Sequence, residues 1–149
     1  MPLMRITLTH GAFDDDQRAR LAAALTEAAC RAESIPDEPQ CRMRALVLVD
    51  ELVAGGFYSA SQRTDDAVAG VFVDWQVSTG VLDGARKAQF ARDLHDAAVE
   101  TRTADDGRMV VTSCVVQEVP EGQWAQNGAI RRLPEMISVA RFEHLTSAS

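Results

Sequence analysis

The sequence predicts an α+β fold in which tandem β-α-β units form a four-stranded sheet with two helices on one face. This prediction depends on the order of apolar patterns along the 149 residues and on the return of that order in the second half. A composition of 46% hydrophobic and 25% charged residues suits one compact domain. We expect this domain to span 2–149, with halves at about 2–62 and 69–134 and a C-terminal tail.

Three segments define the first unit. Apolar and polar residues alternate over 3–8, which predicts a strand with its even-numbered positions on one side. A helix is predicted over 14–33, because acidic residues open it and favour the macrodipole, and apolar residues then recur at helical spacing. The apolar run 43–49 is typical of a strand that is buried on both faces.

The second half repeats these elements. Strands are predicted over 70–77 and 108–119, and Asp83 opens the helix between them. The halves align at an offset of 69, and a glutamate, a glycine and an aromatic residue recur after each second strand. Joining two strands through a helix favours parallel pairing within each unit. The positions matched at this offset include Gly11 and Gly80, Asp14 and Asp83, Leu25 and Leu94, and Ala28 and Ala97. The recurring signature pairs Glu51 with Glu118, Gly55 with Gly122 and Phe57 with Trp124, which are 67 residues apart.

Composition also limits the classes of partner and location. A formal net charge of −7 with scattered basic residues disfavours nucleic acid and anionic membranes as partners. The three cysteines lack CxxC spacing and the three histidines are far apart, so we expect free thiols, no metal site and no cofactor. The start of the chain does not resemble a signal peptide, and a cytoplasmic location is the expectation.

Several short motifs together resemble the tautomerase superfamily. They are Met1-Pro2, the glycine at 11 before an acidic helix start, the stretch Glu51 to Phe57, the tail Glu118-Val-Pro120, Gln126-Asn-Gly128 and Leu133-Pro134. The opening looks like 4-oxalocrotonate tautomerase, and the doubled length looks like fused members such as malonate semialdehyde decarboxylase. The tail is similar to the cis-3-chloroacrylic acid dehalogenase group. The resemblance implies a β-α-β fold, a homotrimer and an active site around Pro2.

The amine of Pro2 is the expected catalytic group once Met1 is removed. A free α-amino group has a pKa near 8, and an apolar pocket lowers that pKa further because it disfavours the charged form. Such an amine can act as a general base near neutral pH. We therefore expect a tautomerase-type isomerase that acts on a small enolic 2-oxo acid.

The sequence departs from the dehalogenase group at most of its catalytic positions. Gln126 replaces the glutamate that activates water, and glutamine cannot accept a proton, which argues against hydrolytic dehalogenation. The arginine that follows the glycine of 4-oxalocrotonate tautomerase is also replaced. The other departures are Ala29 for histidine, Ser78 and Val81 for arginines, Val115 for tyrosine and Ala12 for that last arginine.

A substrate carboxylate favours an arginine, whose planar guanidinium binds it through two hydrogen bonds. Arg5, Arg42 and Arg44 are the main candidates, and Arg131 and Arg132 are weaker ones. Gln126 and Asn127 offer amide hydrogen bonds, although Asn127 also suits a turn. Trp124 and Phe57 are candidates for an apolar wall, whereas Trp75, which lies within a strand, is the more typical core residue. The candidate substrate-binding set is Arg42, Arg44, Gln126, Asn127 and Trp124.

Three other interpretations stay open at the level of sequence. The chain could be a non-catalytic trimer that binds a small acid or a protein. It could be a hydratase-, dehalogenase- or decarboxylase-like lyase that uses protonated Pro2 as an acid. A ferredoxin-like fold has the same element order, with antiparallel central strands, and needs no role for Pro2.

Overall fold

The computed structural model describes residues 2–102 and 105–146, without the side chains of Glu143 and Thr146. The expected removal of Met1 and the last three residues of the predicted tail lie outside this part. In chain order the elements are β1 (Leu3–Leu8), α1 (Asp15–Ala32), α2 (Pro39–Arg42), β2 (Leu46–Glu51), β3 (Tyr58–Ser59), β4 (Gln62–Arg63), β5 (Val68–Ser78), α3 (Gly84–Thr101), β6 (Met109–Val119), β7 (Trp124–Gln126), β8 (Ala129–Arg131), α4 (Leu133–Ala140) and α5 (Glu143–Thr146).

The four long strands form one mixed sheet in the order β2-β1-β5-β6. β1 pairs parallel with β2, and β5 pairs parallel with β6, as predicted for tandem β-α-β units. The two units meet through the antiparallel pair of β1 and β5. In a ferredoxin-like fold, another strand lies between the two strands that each helix joins. Here these strands are direct neighbours, so the ferredoxin-like alternative does not apply.

Matching caps begin the two long helices. The Asp14 side chain accepts a hydrogen bond from the Gln17 amide at 2.7 Å, and the Gln17 side chain accepts one from the Asp14 amide at 2.9 Å. Asp83 caps α3 in the same way through the Arg86 amide at 2.8 Å. The caps satisfy amide groups that would otherwise lack a partner within the helix. The bounds of α1 and α3 differ by the offset of 69 seen in the sequence.

The core lies between one face of the sheet and the two helices. Met4, Ile6 and Leu8 are fully buried, which confirms that they share one side of β1 and shows that this side faces the core. Trp75, opposite Met4 on β5, packs against Phe90 of α3 with ring centroids 4.2 Å apart. Helices and sheet therefore bury their apolar sides against each other, and the opposite face of the sheet stays open.

The prediction that the 43–49 strand is buried on both faces is wrong. β2 begins at Leu46, because the preceding residues leave the short helix α2 through turns, and it lies at the edge of the sheet. Leu46, Leu48 and Val49 are 44%, 46% and 38% exposed in the single chain. Some residues of the apolar run therefore face the core, and others lie on the open face of the sheet.

Cysteine and histidine placement shows little clustering in the described part of the chain. Cys30 and Cys41 are buried and Cys114 is half-buried, and all three are free thiols. Burial raises the pKa of Cys30 and of Cys114 to about 11. Among the described residues, His, Cys, Asp and Glu form no group of three or more that could hold a metal ion. No helix in this part has the length and apolar character needed to cross a bilayer.

Candidate active site

Pro2 lies buried at the start of the central strand β1. Its carbonyl oxygen accepts a hydrogen bond from the Leu46 amide at 3.0 Å, which extends the pairing of β1 and β2 by one step. Because side chains alternate along a strand, Pro2 shares the inward side of Met4. The proline is therefore held at the edge of the core, on the helix side of the sheet.

Three elements converge on this end of the sheet. β2 begins there, because Leu3 pairs with Leu46, and β5 ends there, because Leu3 also pairs with Gln76. α1 connects the far end of β1 to the start of β2, so its last turn lies at the Pro2 end. Eighteen helical residues span about 27 Å, enough to return over the whole strand.

An arginine-bearing cleft lies at the same end of the sheet. α4 is fixed there because the Ser78 hydroxyl donates to the Met136 sulfur at 2.9 Å, and Ser78 ends β5. Arg44, on the other side of the cleft, precedes β2 by two residues. Since β1 lies between β2 and β5, the cleft and Pro2 lie at the same end of the sheet, and Pro2 is not one of the residues that line the cleft. The cleft holds about 190 Å³ and is lined by Arg44, Gln126, Arg131, Glu135, Met136, Val139 and Ala140.

Two half-buried guanidinium groups give this cleft its binding chemistry. Arg44 Nε donates to the Gln40 carbonyl at 3.3 Å, and an Arg131 nitrogen lies 4.0 Å from a Glu135 oxygen. The first contact leaves terminal nitrogens available for a ligand, and the second is long for a hydrogen bond. The cleft can therefore bind a small carboxylate through one or both arginines.

Arg42 and Arg5 are placed differently from Arg44. Arg42 pairs with Glu27 of α1 and lies 2.8 Å from Asp37, and the hydrogen bond with Glu27 raises the pKa of its guanidinium. Arg42 therefore holds the segment that follows α1 against α1 itself. Arg5 lies on the open face of the sheet, and its side chain is 60% exposed.

The hairpin β7–β8 positions the remaining predicted residues. Asn127 and Gly128 have φ values of 51° and 78°, as a two-residue turn between paired strands requires. Asn127 is exposed in this turn, whereas Gln126 lines the cleft. Trp124 is half-buried and lies in a small neighbouring cavity with Ser78 and Arg131.

The other aromatic residues serve packing. Trp75 is fully buried in the core, as its position in a strand predicts. Phe57 stacks on Phe72 with centroids 5.6 Å apart, and Phe72 pairs with Thr7 towards the opposite end of β1. Tyr58 is exposed. In the single chain, Phe57 thus lies away from Pro2 while Trp124 lies at the Pro2 end.

Glu33 is a buried acid at the Pro2 end that sequence reasoning missed. It caps α1, donating its backbone N–H to the Ala29 carbonyl at 2.9 Å, and the whole residue is 0% exposed. Burial raises the pKa of its carboxyl group, while Trp75 lowers that pKa by a smaller amount. The sequence held a signal, because Glu33 lies four residues after Ala29 and eight after Leu25, on the apolar face of the helix.

Comparisons with solved structures agree on the fold. A native fused 4-OT matches with a TM-score of 0.68 at 19% identity, covering 85% of this chain and 94% of that one. N1, a member of the cis-3-chloroacrylic acid dehalogenase family, matches with a TM-score of 0.69 at 15% identity, covering 98% and 91%. FG41 malonate semialdehyde decarboxylase, inhibited by 3-bromopropiolate, matches with a TM-score of 0.64 at 14% identity, covering 93% and 96%.

This chain therefore has the fold of the tautomerase superfamily, in the fused form with two β-α-β units in one polypeptide. Neither a protein-family model nor a curated protein matches the sequence. At 14–19% identity these structures show the fold, and the chemistry of the site has to be argued from this chain's own residues.

The two arginines that flank the α2–β2 connection have different roles, which stability measurements can separate. We expect Arg42→Ala to lower the free energy of unfolding by about 1 kcal/mol, because it removes the contacts with Glu27 and Asp37. Arg44→Ala should change it by less than about 0.5 kcal/mol. Urea denaturation of the two variants checks this, and equal losses would contradict the assignment.

Proposed function

We propose that the chain is a tautomerase-type isomerase in which the secondary amine of Pro2 is the general base. One observation supports this most directly: Pro2 is buried at the start of the central strand, at the same sheet end as a cleft with two arginines. A base in a dry site next to a carboxylate-binding group is the arrangement that proton transfer beside a carbonyl requires.

The substrate we propose is a small enolic 2-oxo acid. Arg44 and Arg131 would hold its carboxylate, and the Gln126 amide would donate to the neighbouring oxygen. The apolar side of the cleft, formed by Met136, Val139 and Ala140, would contact the rest of the molecule. A cleft of about 190 Å³ favours a compact ligand.

In the proposed reaction, the Pro2 amine alone can both accept and donate the proton that moves. The neutral nitrogen of Pro2 accepts the enol hydroxyl proton, and the electron pair of that O–H bond becomes part of the new carbonyl. The resulting ammonium then donates the proton to the carbon next to the new carbonyl, which takes up the electron pair of the former C=C bond's π component as a C–H bond. The amine ends the cycle neutral, and the ring of proline fixes the direction of its lone pair throughout.

Ligands named for the structural neighbours are small unsaturated carboxylates. The neighbour FG41 malonate semialdehyde decarboxylase is inhibited by 3-bromopropiolate. Pt0534, which matches with a TM-score of 0.67 at 16% identity and covers 85% of this chain and 93% of its own, is inactivated by 2-oxo-3-pentynoate. A similar ligand class for this chain is in keeping with its arginine-bearing cleft.

Replacement of the catalytic proline tests the proposal. Wild-type protein should ketonise phenylenolpyruvate, and Pro2→Ala should lower kcat/KM by at least about 100-fold, because an oriented general base contributes a factor of this order. Absorbance assays measure the rates, and intact mass spectrometry verifies removal of Met1 in both proteins. Undiminished activity in Pro2→Ala would refute a role for the proline.

Covalent labelling separates a missing base from a missing fold. 2-Oxo-3-pentynoate should modify wild-type protein at Pro2, and peptide mapping should find the adduct on the first peptide. Lys87 is the single lysine of the sequence, and an adduct there would instead indicate nonspecific reactivity with amines. A wild-type protein that neither turns over substrate nor labels at Pro2, yet binds small carboxylates, would be a binding protein of this fold.

Truncation of the cleft arginines should weaken substrate binding. Arg44→Ala and Arg131→Ala should each raise KM about 10-fold, because a hydrogen bond to a charged group contributes about 1.5–3 kcal/mol when it is retained in the bound state. Arg92→Ala is the matched control, since Arg92 is exposed on α3 and donates to Gln89. Equal KM values in all three variants would place the substrate elsewhere.

We propose that the protein assembles as a homotrimer through the open face of its sheet. Three of the matched fused 4-OT structures are trimers by title, and here the open face exposes apolar side chains beside polar ones. Leu48 on this face and Val99 on α3 are 46% and 47% exposed, which makes them a matched pair. Closed assemblies with cyclic symmetry bury such faces.

Charge placed on the open face should dissociate the assembly. Native mass spectrometry and sedimentation should give the mass of three chains for the wild type. Leu48→Lys should shift the distribution to single chains at micromolar concentration, because burying an unpaired charge is costly. Val99→Lys should keep the trimer. A wild-type monomer, or dissociation by both variants, would contradict the proposed interface.

A further inference from the structure

We propose that Glu135 sets the charge of the arginine-bearing cleft so that it accepts ligands with one carboxylate and disfavours dicarboxylates. Glu135 is then a specificity-determining residue. The inference rests on the proposed function, because it takes this cleft as the place where the substrate binds. It narrows the proposed substrate class to enolic 2-oxo acids in which the rest of the molecule is uncharged.

The charges that line the cleft come from three side chains. Arg44 and Arg131 each contribute a guanidinium group, and Glu135 contributes the carboxylate. The other lining residues are one glutamine and three apolar residues, which carry no charge. Because all three ionisable groups are charged near neutral pH, the lining has a single net positive charge. One ligand carboxylate is therefore enough to balance it.

The helical spacing of α4 places Glu135 on the cleft. Glu135 and Val139 are four residues apart and share one face of the helix, and both line the cleft. Met136 and Ala140 have the same spacing and are buried, so they hold the helix by the adjacent face. Glu135 itself is exposed. The carboxylate therefore lies on the solvent side of the cleft, next to its apolar wall.

Contacts at both ends of α4 fix this orientation, in addition to the contact of the helix with the end of β5. The Leu133 amide, in the first turn, donates to the Glu121 carboxylate at 2.7 Å. Directly after the helix, the Arg141 guanidinium donates to both Glu38 oxygens, at 2.7 and 2.8 Å. Phe142, the next residue, is fully buried. The helix thus has anchors on either side of Glu135, which keeps its carboxylate at the cleft.

The three charged groups of the cleft are not satisfied by one another. The nearest Arg131 nitrogen lies 4.0 Å from a Glu135 oxygen, which is too long for a hydrogen bond, and such partly exposed pairs contribute little. On the other side of the cleft, Arg44 donates to the carbonyl of Gln40, a group without charge. Both guanidinium groups can therefore bind a ligand carboxylate while Glu135 keeps its negative charge.

A second carboxylate on the ligand meets two unfavourable conditions. The first carboxylate has already balanced the net charge of the lining, so the second enters a half-buried site without a counter-charge. It also lies close to Glu135, because a cleft of about 190 Å³ leaves little room for separation. Repulsion between like charges about 8 Å apart near a protein surface weakens binding by about tenfold. An uncharged group in the same place contacts Met136 and Val139 instead.

Binding of two ligands that differ by one charge tests the inference without turnover. 2-Oxoglutarate has two carboxylates, and its 5-methyl ester has one at similar size. Titration of ¹⁵N-labelled wild-type protein by NMR should show about tenfold tighter binding of the ester, with signals shifted around the cleft. Glu135→Gln should strengthen binding of 2-oxoglutarate about tenfold and that of the ester by less than about threefold.

Other variants separate the charge of Glu135 from its shape and from the charge of the whole protein. Glu135→Asp should keep the preference for the ester, and Glu135→Ala should lose it as Glu135→Gln does. Glu100→Gln is the matched control, because Glu100 is exposed on α3 and its replacement changes the net charge equally. It should change both affinities by less than about twofold.

Several results would overturn the inference. They are tighter wild-type binding of 2-oxoglutarate than of the ester, an unchanged ratio of the two affinities in both neutral variants, an equal change in Glu100→Gln, or binding of neither ligand at the cleft. Failure of the proposed function is a different result. Protein that shows the expected ratios but does not ketonise phenylenolpyruvate would refute the isomerase and leave the selectivity of the cleft established.

Discussion

The central position of β1 is the constraint on which the rest of the structure depends. This strand pairs parallel with β2 on one side and antiparallel with β5 on the other, so its first residue is enclosed by both neighbours. Its inward side chains are fully buried beneath α1 and α3. A group that begins this strand cannot lie in bulk water, and a proline there is brought to the edge of the core by the same packing that stabilises the fold.

That placement sets the electrostatic problem of the site. A charge at the start of β1 would be costly in an apolar surrounding, and the same holds for the carboxyl group at the end of α1. The two arginines of the cleft, Arg44 and Arg131, are half-buried and line a cavity that does not include Pro2.

Sequence patterns predicted the fold more fully than the site. Alternation over β1 and the caps at Asp14 and Asp83 are local signals, and the structure confirms them. The exposure of β2 depends on its place at the sheet edge, which local patterns do not encode. Gln126 and Arg44 line one cleft only because α4, which contacts the end of β5, completes its wall. Glu33 was missed because a single acidic residue at a helix end is usually solvated, although its spacing placed it on the buried face.

The second half of the sheet has no proline at the position that corresponds to Pro2. At the offset of 69, the position that corresponds to Pro2 is Val71, an interior residue of β5 that is fully buried and joined to the chain on both sides. The second unit consequently has no chain terminus at the corresponding place in its first strand. Its side chains support the first unit instead: Arg86 holds the end of α1 through the Ala32 and Ser34 oxygens, and Trp75 is fully buried beneath the helices.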